Sequence, residues 1–335
     1  MLGKFRFQVV IAVGLLALVF WRAKVWNLPD AMAGMEWLIL VAVLSINIPI
    51  VVLWALRSHW VLMKLGYRLA VGPLLLVTTV GNVAGVMTPA GSGDLLRGVA
   101  LKEKHGVDGV AATSAVLYER LYLPLLMIMA IGLAGAVLAV MDYPWAVALV
   151  VVVGVVAAAG CGFLYILGSA VVRSLSPGAL GRIWGKRAGK WLKFPAEVDE
   201  VLAGLFRDMK LGFGFSLLTM LVYGLTALQV WLVLEALGAE VTVMEAWIAF
   251  ALASLAGMLV MLPGGLGVWD AALPAILTSQ GVDLLSATAA AILLRGLQTL
   301  PLGLMAVAAY LALSRRDYRV LARQKQEPAG DSVTE

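Results

Sequence analysis

The strongest constraint on this chain is a succession of apolar runs, from one end of the sequence to the other. Each is close to the ~20 residues needed to cross the hydrocarbon core of a bilayer. Runs of that kind are read as transmembrane helices, and the chain as an all-α polytopic membrane protein. Only 13% of the 335 residues are charged, against roughly 25% in soluble domains. No stretch is left over for a soluble catalytic domain.

Lys and Arg collect on the cytoplasmic side of a membrane, so their positions orient the spans. Helix one covers about 7–24 and helix two about 36–56, with Asn27-Leu28-Pro29-Asp30 between them. The basic start and apolar core of helix one imitate a signal peptide. It runs into Trp21-Arg22-Ala23-Lys24 without a small-residue cleavage site, so it is read as retained. Arg57, His59, Lys64 and Arg68 then read as a cytoplasmic basic loop. A long helix over 109–140 leaves to the outside at Asp142, and 144–172 returns to a loop, 173–210, with eight Lys/Arg against four Asp/Glu. Within that loop Pro195 opens a helix whose apolar face (Phe194, Val198, Val201, Leu202, Leu205) suits a position on the membrane surface. Residues 211–236 cross outward to Glu235, Glu240 and Glu245, and a last helix, 284–313, returns to Arg315 and Arg316. The segment 315–335 is a polar cytoplasmic tail, disordered from about 320. Both termini are thus expected in the cytoplasm, in the cell (inner) membrane. Arg22 and Lys24 fall on the outer side against the rule; either they snorkel or helix one is shorter.

Two segments do not fit a simple crossing. The apolar run from Leu69 breaks at Thr88-Pro89-Ala90-Gly91-Ser92-Gly93, and Arg97, Lys102 and Lys104 follow within a few residues. With basic residues at both ends, 69–105 is expected to enter and leave on the cytoplasmic side as a re-entrant hairpin. The run from 246 breaks at Leu262-Pro263-Gly264-Gly265-Leu266-Gly267 and reaches Gln280 and Asp283 without a basic residue, so 246–283 is expected to open outward. Irregular backbone at membrane depth is tolerated only against protein or a water-filled cavity.

These segments belong to an internal repeat. GVDGVAATSAVLYER (106–120) and GVDLLSATAAAILLR (281–295) share seven of fifteen positions at an offset of 175, the Asp, Thr and Arg among them. Residues 1–141 and 142–314 then form two halves, each with three spans and one hairpin. An odd number of crossings inverts the second half relative to the first. Inverted repeats with broken helices meeting near the midplane are a common plan for secondary transporters.

Arg120 and Arg295 each lie about eleven residues into their helix, roughly 16 Å deep. An Arg near the midplane costs some 2.5–3.5 kcal/mol even on the lenient scale, so each needs a partner. For Arg120 these are Glu119 or Asp94; for Arg295, Asp270 or a bound anion. Two readings stand: an ion-pair lock between the halves, or guanidinium groups that hold a lipid phosphate. Helix N-termini after Gly93 and Gly267 would add backbone donors. Arg97 follows the first tip, and Asn82, Thr78, Thr79 and Gln298 are candidates to line a cavity. Intrahelical bonding accounts for the threonines equally well. The tips themselves are Pro89, Gly91 and Gly93, and Pro263, Gly264, Gly265 and Gly267.

Enzyme readings fare poorly. His59 and His105, the only histidines, fall in basic loops; Cys161 is the only cysteine; and no His/Cys/carboxylate group has metal spacing. No acidic pair stands where a transferase acting on a polyprenyl phosphate would hold a metal-bound diphosphate. Neither cofactor nor metal is expected. The formal charge of +5 is accounted for by loops facing headgroups, so no nucleic-acid partner is expected.

With Asn82 and Ala84 leading into Pro89–Asp94 (PAGSGD), Arg97, the Glu119-Arg120 pair, LPGGLGVWD (262–270) and Arg295 before Pro301, the chain resembles a family of flippase-like integral membrane proteins. That family is related to the transmembrane domain of lysylphosphatidylglycerol synthase. The resemblance covers nearly all of 1–315 and implies a lipid translocase fold with two re-entrant hairpins. It also implies partners among membrane lipids, anionic or aminoacylated phospholipids above all. In fused members the domain moves an aminoacylated phospholipid made by an attached synthase domain. The present sequence holds no such domain, so aminoacyl transfer is not expected of it. Where the family pattern often has Glu, Asp270 follows Trp269. The leading expectation is a translocase of phosphate-bearing lipids. A non-transporting membrane partner of a lipid- or glycan-synthesising enzyme, acting through the basic loop, is the alternative.

Overall fold

The computed structural model describes residues 35–88, 93–140, 196–260 and 263–326, together with Trp21. Among the described residues every regular element is helical: nine α-helices and one 3-10 turn. Helices α1 (Trp37–Lys64), α4 (Gly109–Val140), α6 (Met209–Ala236) and α9 (Leu284–Gln326) each contain a stretch long and apolar enough to cross a membrane. α2 (Val71–Met87) and α7 (Val243–Val260) are apolar but have only 17 and 18 residues. At 1.5 Å per residue they reach about 26 Å, short of a ~30 Å hydrocarbon core. The remaining helices, α3 (Asp94–His105), α5 (Ala196–Arg207) and α8 (Val268–Ser279), have twelve residues each.

The surface has the polarity expected in lipid. On α9, Leu300, Leu304, Val307 and Leu311 recur at helical spacing, and each is more than half exposed. Phe213, Leu217 and Leu221 form the same kind of stripe on α6. Exposed apolar stripes at this spacing suit contact with lipid, and the buried apolar residues form one cluster from Val43 to Leu313.

α2 and α3 form an antiparallel hairpin because three glycines let them touch. A Cβ on Gly81 would collide with Arg97, one on Gly85 with the Asp94 carboxylate, and one on Gly93 with the Ala84 carbonyl. α7 and α8 form a second antiparallel hairpin. Trp269 Nε1 donates to Ser254 Oγ near its tip (3.3 Å), and Gln280 Nε2 donates to the Glu245 carbonyl near its base (3.2 Å). Its tip turns through Pro263–Gly265 and on to Gly267, and Gly264, Gly265 and Gly267 have φ of +56°, +64° and +80°. Only glycine enters that region without a Cβ penalty.

The repeated Gly-Val-Asp is a helix junction used twice. Gly106 and Gly281 take left-handed φ of +65° and +96°. The next valine N–H then reaches back, Val107 to the Leu101 carbonyl (3.2 Å) and Val282 to the Leu277 carbonyl (3.1 Å). The aspartates cap the helices that follow. Asp108 accepts from the Val110 amide at 2.8 Å, and Asp283 from the Leu285 and Ser286 amides at 2.9 Å. Neighbour relations repeat as well. α2 packs on α9 as α7 packs on α4; α3 lies on α4 as α8 lies on α9; α1 and α6 pack against each other.

Three expectations change. α1 continues to Lys64 rather than ending at 56, so Arg57 and His59 are helical residues and not part of a solvated loop. Internal partners make this possible: Arg57 reaches Glu119, and a His59 ring nitrogen lies 2.8 Å from the Leu69 carbonyl. The helix of the basic loop begins close to where expected, at Ala196, but its apolar face is covered by protein. Val198, Leu202 and Leu205 are buried, and the Val198 carbonyl accepts from Ser114 Oγ of α4 (3.4 Å). The tail is helical through Gln326 as an extension of α9. Helix one with Arg22 and Lys24, the span 144–172 with Cys161, Phe194 and Pro195, and the tip residues Pro89 and Gly91 lie outside the described residues.

Candidate functional site

Each hairpin delivers a carboxylate to an arginine on the long helix that follows it. In the first half, the Gly93 N–H donates to Thr88 Oγ1 (2.6 Å), and Thr88 Oγ1 donates to the Ala84 carbonyl (2.8 Å). That pins the start of α3, where Asp94 is the first residue. Its Oδ2 lies 3.2 Å from Arg120 Nε. Of the two partners expected for Arg120, the structure selects Asp94. Glu119 cannot share the role, because consecutive helical residues point about 100° apart.

Glu119 turns inward instead. It accepts from Arg97 Nη1 (3.1 Å), from Arg57 Nη2 (3.3 Å) and from Ser58 Oγ (2.8 Å). The side chains of Arg57, Arg97 and Glu119 are at most 5% exposed. Arg97 Nη1 also donates to Asn82 Oδ1 (3.4 Å), and the Arg57 guanidinium lies 4.9 Å from the Phe215 ring centre. Three guanidinium groups thus surround two carboxylates, a net positive cluster whose exposed member is Arg120, with its side chain 42% accessible.

In the second half, Asp270 is the third residue of α8, where Oδ2 accepts from the Gly267 N–H (2.9 Å). Arg295 donates to both oxygens, Nε to Oδ1 at 2.6 Å and Nη2 to Oδ2 at 3.1 Å, and Nη1 donates to the Gly264 carbonyl at 2.8 Å. The guanidinium also lies 4.8 Å from the Trp269 ring centre. Arg295 therefore holds the second tip through one side chain and one backbone carbonyl. The neighbours Glu119 and Arg97 have no equivalent here: by the repeat offset Leu294 stands for Glu119, and three residues after Asp270 comes buried Leu273.

The halves meet at the second tip. A Cβ on Gly264 would sit 3.2 Å from Val86 Cγ1 and 3.4 Å from the Val86 carbonyl oxygen. The turn of one hairpin thus abuts the end of the first leg of the other. Beside it, Gln298 Nε2 donates to Gln229 Oε1 (3.0 Å), Gln229 Nε2 to the Val43 carbonyl (2.9 Å), and Asn47 Nδ2 to the Leu297 carbonyl (2.9 Å). This network ties α1, α6 and α9 together, and Gln298 takes part in it. Thr78 and Thr79, buried, bond back to the Leu74 and Leu75 carbonyls at 2.8 and 2.7 Å, which settles them as intrahelical.

Sequence reasoning missed Arg57 and Ser58. The signal was a bookkeeping one: Glu119 and Arg120 are adjacent yet face different ways, so a buried Glu119 required cations of its own. No group of three metal-ligating side chains occurs among the described residues.

Residues 6–313 match the family model described as the lysylphosphatidylglycerol synthase TM region. No curated protein matches the chain. With that match spanning both hairpins and both arginine–carboxylate pairs, the chain belongs to the family of lysylphosphatidylglycerol synthase transmembrane regions, multi-pass membrane proteins related to lipid handling.

Proposed function

We propose that the protein is a lipid translocase that carries a phosphate-bearing lipid between leaflets. On this reading the two hairpin-bearing halves are inverted repeats that rock against each other around Arg120 and Arg295, and both hairpins re-enter the membrane side from which they came. One observation carries it. Twice, a hairpin's second leg presents an aspartate in its first turn to an arginine eleven residues past the start of the next helix. The exchange of neighbours between halves, α2 with α9 and α7 with α4, supports a two-fold relation across the α1–α6 contact. Hairpins that meet through the small contact of Gly264 with Val86, at a tip held by one guanidinium, are suited to separate and reform, as alternating access requires. No chemical transformation is assigned to the chain; both termini would face the cytoplasm of the cell membrane.

Reconstitution in vesicles containing a headgroup-labelled phosphatidylglycerol tests the proposal. Label reaching the opposite leaflet faster than in protein-free vesicles, and slowing in Arg120→Gln and Arg295→Gln proteins that remain folded, is the expected result. Wild-type vesicles indistinguishable from empty ones would refute it.

A further inference from the structure

A groove of about 250 Å³ runs between α3 and α4, lined by Gly98, Val99, Lys102, Gly109, Thr113 and Val116. Its two walls are helical stripes. Asp94, Gly98 and Lys102 follow one another every fourth residue on α3, and Gly109, Thr113, Val116 and Arg120 recur at four and three on α4. The same stripes therefore place the Asp94–Arg120 pair at one end of the groove and Lys102 at the other, about 12 Å away at 1.5 Å per residue. Lys102 lies in the last turn of α3 and reaches across to α4: a Cβ on Gly109 would sit 3.6 Å from its Nζ. The width comes from small residues. Gly98 faces α4 with nothing nearer to its missing Cβ than 3.9 Å.

We infer that this groove is the path by which a phospholipid headgroup reaches the centre of the protein, its phosphate received by Lys102 and passed to Arg120. The inference rests on the translocase reading and adds to it a site and a side. Charge complementarity commits the groove to an anionic headgroup. A base stands at each end, and behind Arg120 the buried Arg57–Glu119–Arg97 group leaves the deep end net positive. The Arg57 Nε, buried, has no hydrogen-bond partner among the described residues. Apolar Val99 and Leu96, half exposed on α3, border the groove where acyl chains would remain in lipid. The second half does not repeat this. There Pro274 and Thr278 replace Gly98 and Lys102 in the stripe that follows Asp270. The headgroup is accordingly taken up along the first half, and Arg295 acts on the second tip as a positioning residue.

The full chain carrying Cys161→Ser and Thr113→Cys, purified in detergent, gives a direct readout through modification of the new thiol by a negatively charged methanethiosulfonate. Dioctanoyl phosphatidate should slow the reaction about fivefold or more, and Lys102→Gln should raise the concentration needed about tenfold, the effect of one charge-assisted hydrogen bond. Gly98→Leu should remove protection, and Gly98→Ala, which its neighbours leave room for, should keep it. Equal protection by dioctanoylglycerol would overturn the inference, because an uncharged lipid would then suffice; equal protection by inorganic phosphate would make this a free-anion site. Transport that survives in Gly98→Leu would also overturn it while leaving the translocase intact. Protection without any wild-type transport would uphold the groove and refute the translocase.

Discussion

Replacing Glu119 by Leu, the residue at the matching position of the second half, should be the most damaging single change available in the described core. The carboxylate is at most 4% exposed and satisfies two guanidinium groups and a hydroxyl, at 3.1, 3.3 and 2.8 Å. Without it Arg97 retains the Asn82 oxygen and Arg57 the face of Phe215, but both charges stay buried beside each other. Breaking a buried pair by removing one partner costs about 3–5 kcal/mol. By contrast, an interhelical hydrogen bond between neutral groups in a membrane protein averages about 0.6 kcal/mol. Against a total stability of roughly 5–15 kcal/mol, the first loss is a large fraction and the second is small. At about 2 °C per kcal/mol, Glu119→Leu should lower the midpoint of thermal unfolding in detergent by roughly 6–10 °C. Gln298→Leu, which breaks the bond to Gln229, should shift it only slightly. The triple change Arg57→Met, Arg97→Leu, Glu119→Leu should recover most of the loss, since the charges are removed together. If Glu119→Leu costs no more than Gln298→Leu, or the triple variant is no better than the single one, uncompensated buried charge is not the source of the loss.

Other consequences are open to measurement. Arg295→Lys should keep the charge but lose the paired contact to Asp270 or the bond to the Gly264 carbonyl, because one ammonium cannot match a planar fork; transport in vesicles should fall about tenfold or more with little loss of stability. Gly264→Val should place a branched side chain at φ +56° and against Val86, and accelerated proteolysis or hydrogen exchange confined to the second hairpin would report the loosened tip. At the α5–α6 junction the Lys64 ammonium, helped by the Leu211 amide, holds the Asp208 carboxyl below the usual carboxylate range. Its stabilising contribution is therefore complete above the unfolded value near 3.9 and disappears as pH falls through the lowered folded value. Asp208→Asn should be less stable than wild type at neutral pH and equal to it in strong acid, as read by unfolding midpoints across that range.

The legible part of this chain was the part governed by solvent and by backbone chemistry. Apolar run length marked α1, α4, α6 and α9, because lipid leaves a long apolar segment no alternative to a helix. Glycine and proline marked both breaks, and the second shows why: Gly264, Gly265 and Gly267 at its tip occupy a region that other residues rarely enter. The arginine–aspartate pairs were legible in part: cost demanded a partner for each arginine, which left Glu119 or Asp94 for Arg120 and Asp270 or a bound anion for Arg295, and the contacts with Asp94 and Asp270 appear only in the structure. Arg57 was not legible from its own position. It stands at the end of an apolar run followed by His59 and Lys64, a pattern shared with every cytoplasmic boundary, and only its distant contact with Glu119 distinguishes it. The α5 helix failed for a related reason: an amphipathic face is the same in sequence whether it meets lipid or α4.

The two halves have one skeleton and two chemistries, and the difference bears on how such a protein would work. Caps, turns and the arginine–aspartate pair recur, so these are what the architecture needs in each copy. The Arg57–Glu119–Arg97 group and Lys102 occur in the first half alone, where Leu294, Leu273 and Thr278 take the matching places of Glu119, Arg97 and Lys102. A buried charge group is weak evidence for stability, because an apolar replacement of similar volume is often at least as stable. The second half is that replacement, present in the same fold. Buried Leu273 and Leu294 hold the matching places of Arg97 and Glu119 there, so on the translocase reading proposed above the charges of the first half serve anion handling. Transferring the apolar set by the triple substitution should therefore give a protein that folds but no longer distinguishes phosphatidate from diacylglycerol at the α3–α4 groove. Undiminished discrimination in that variant would return the charges to a purely structural role.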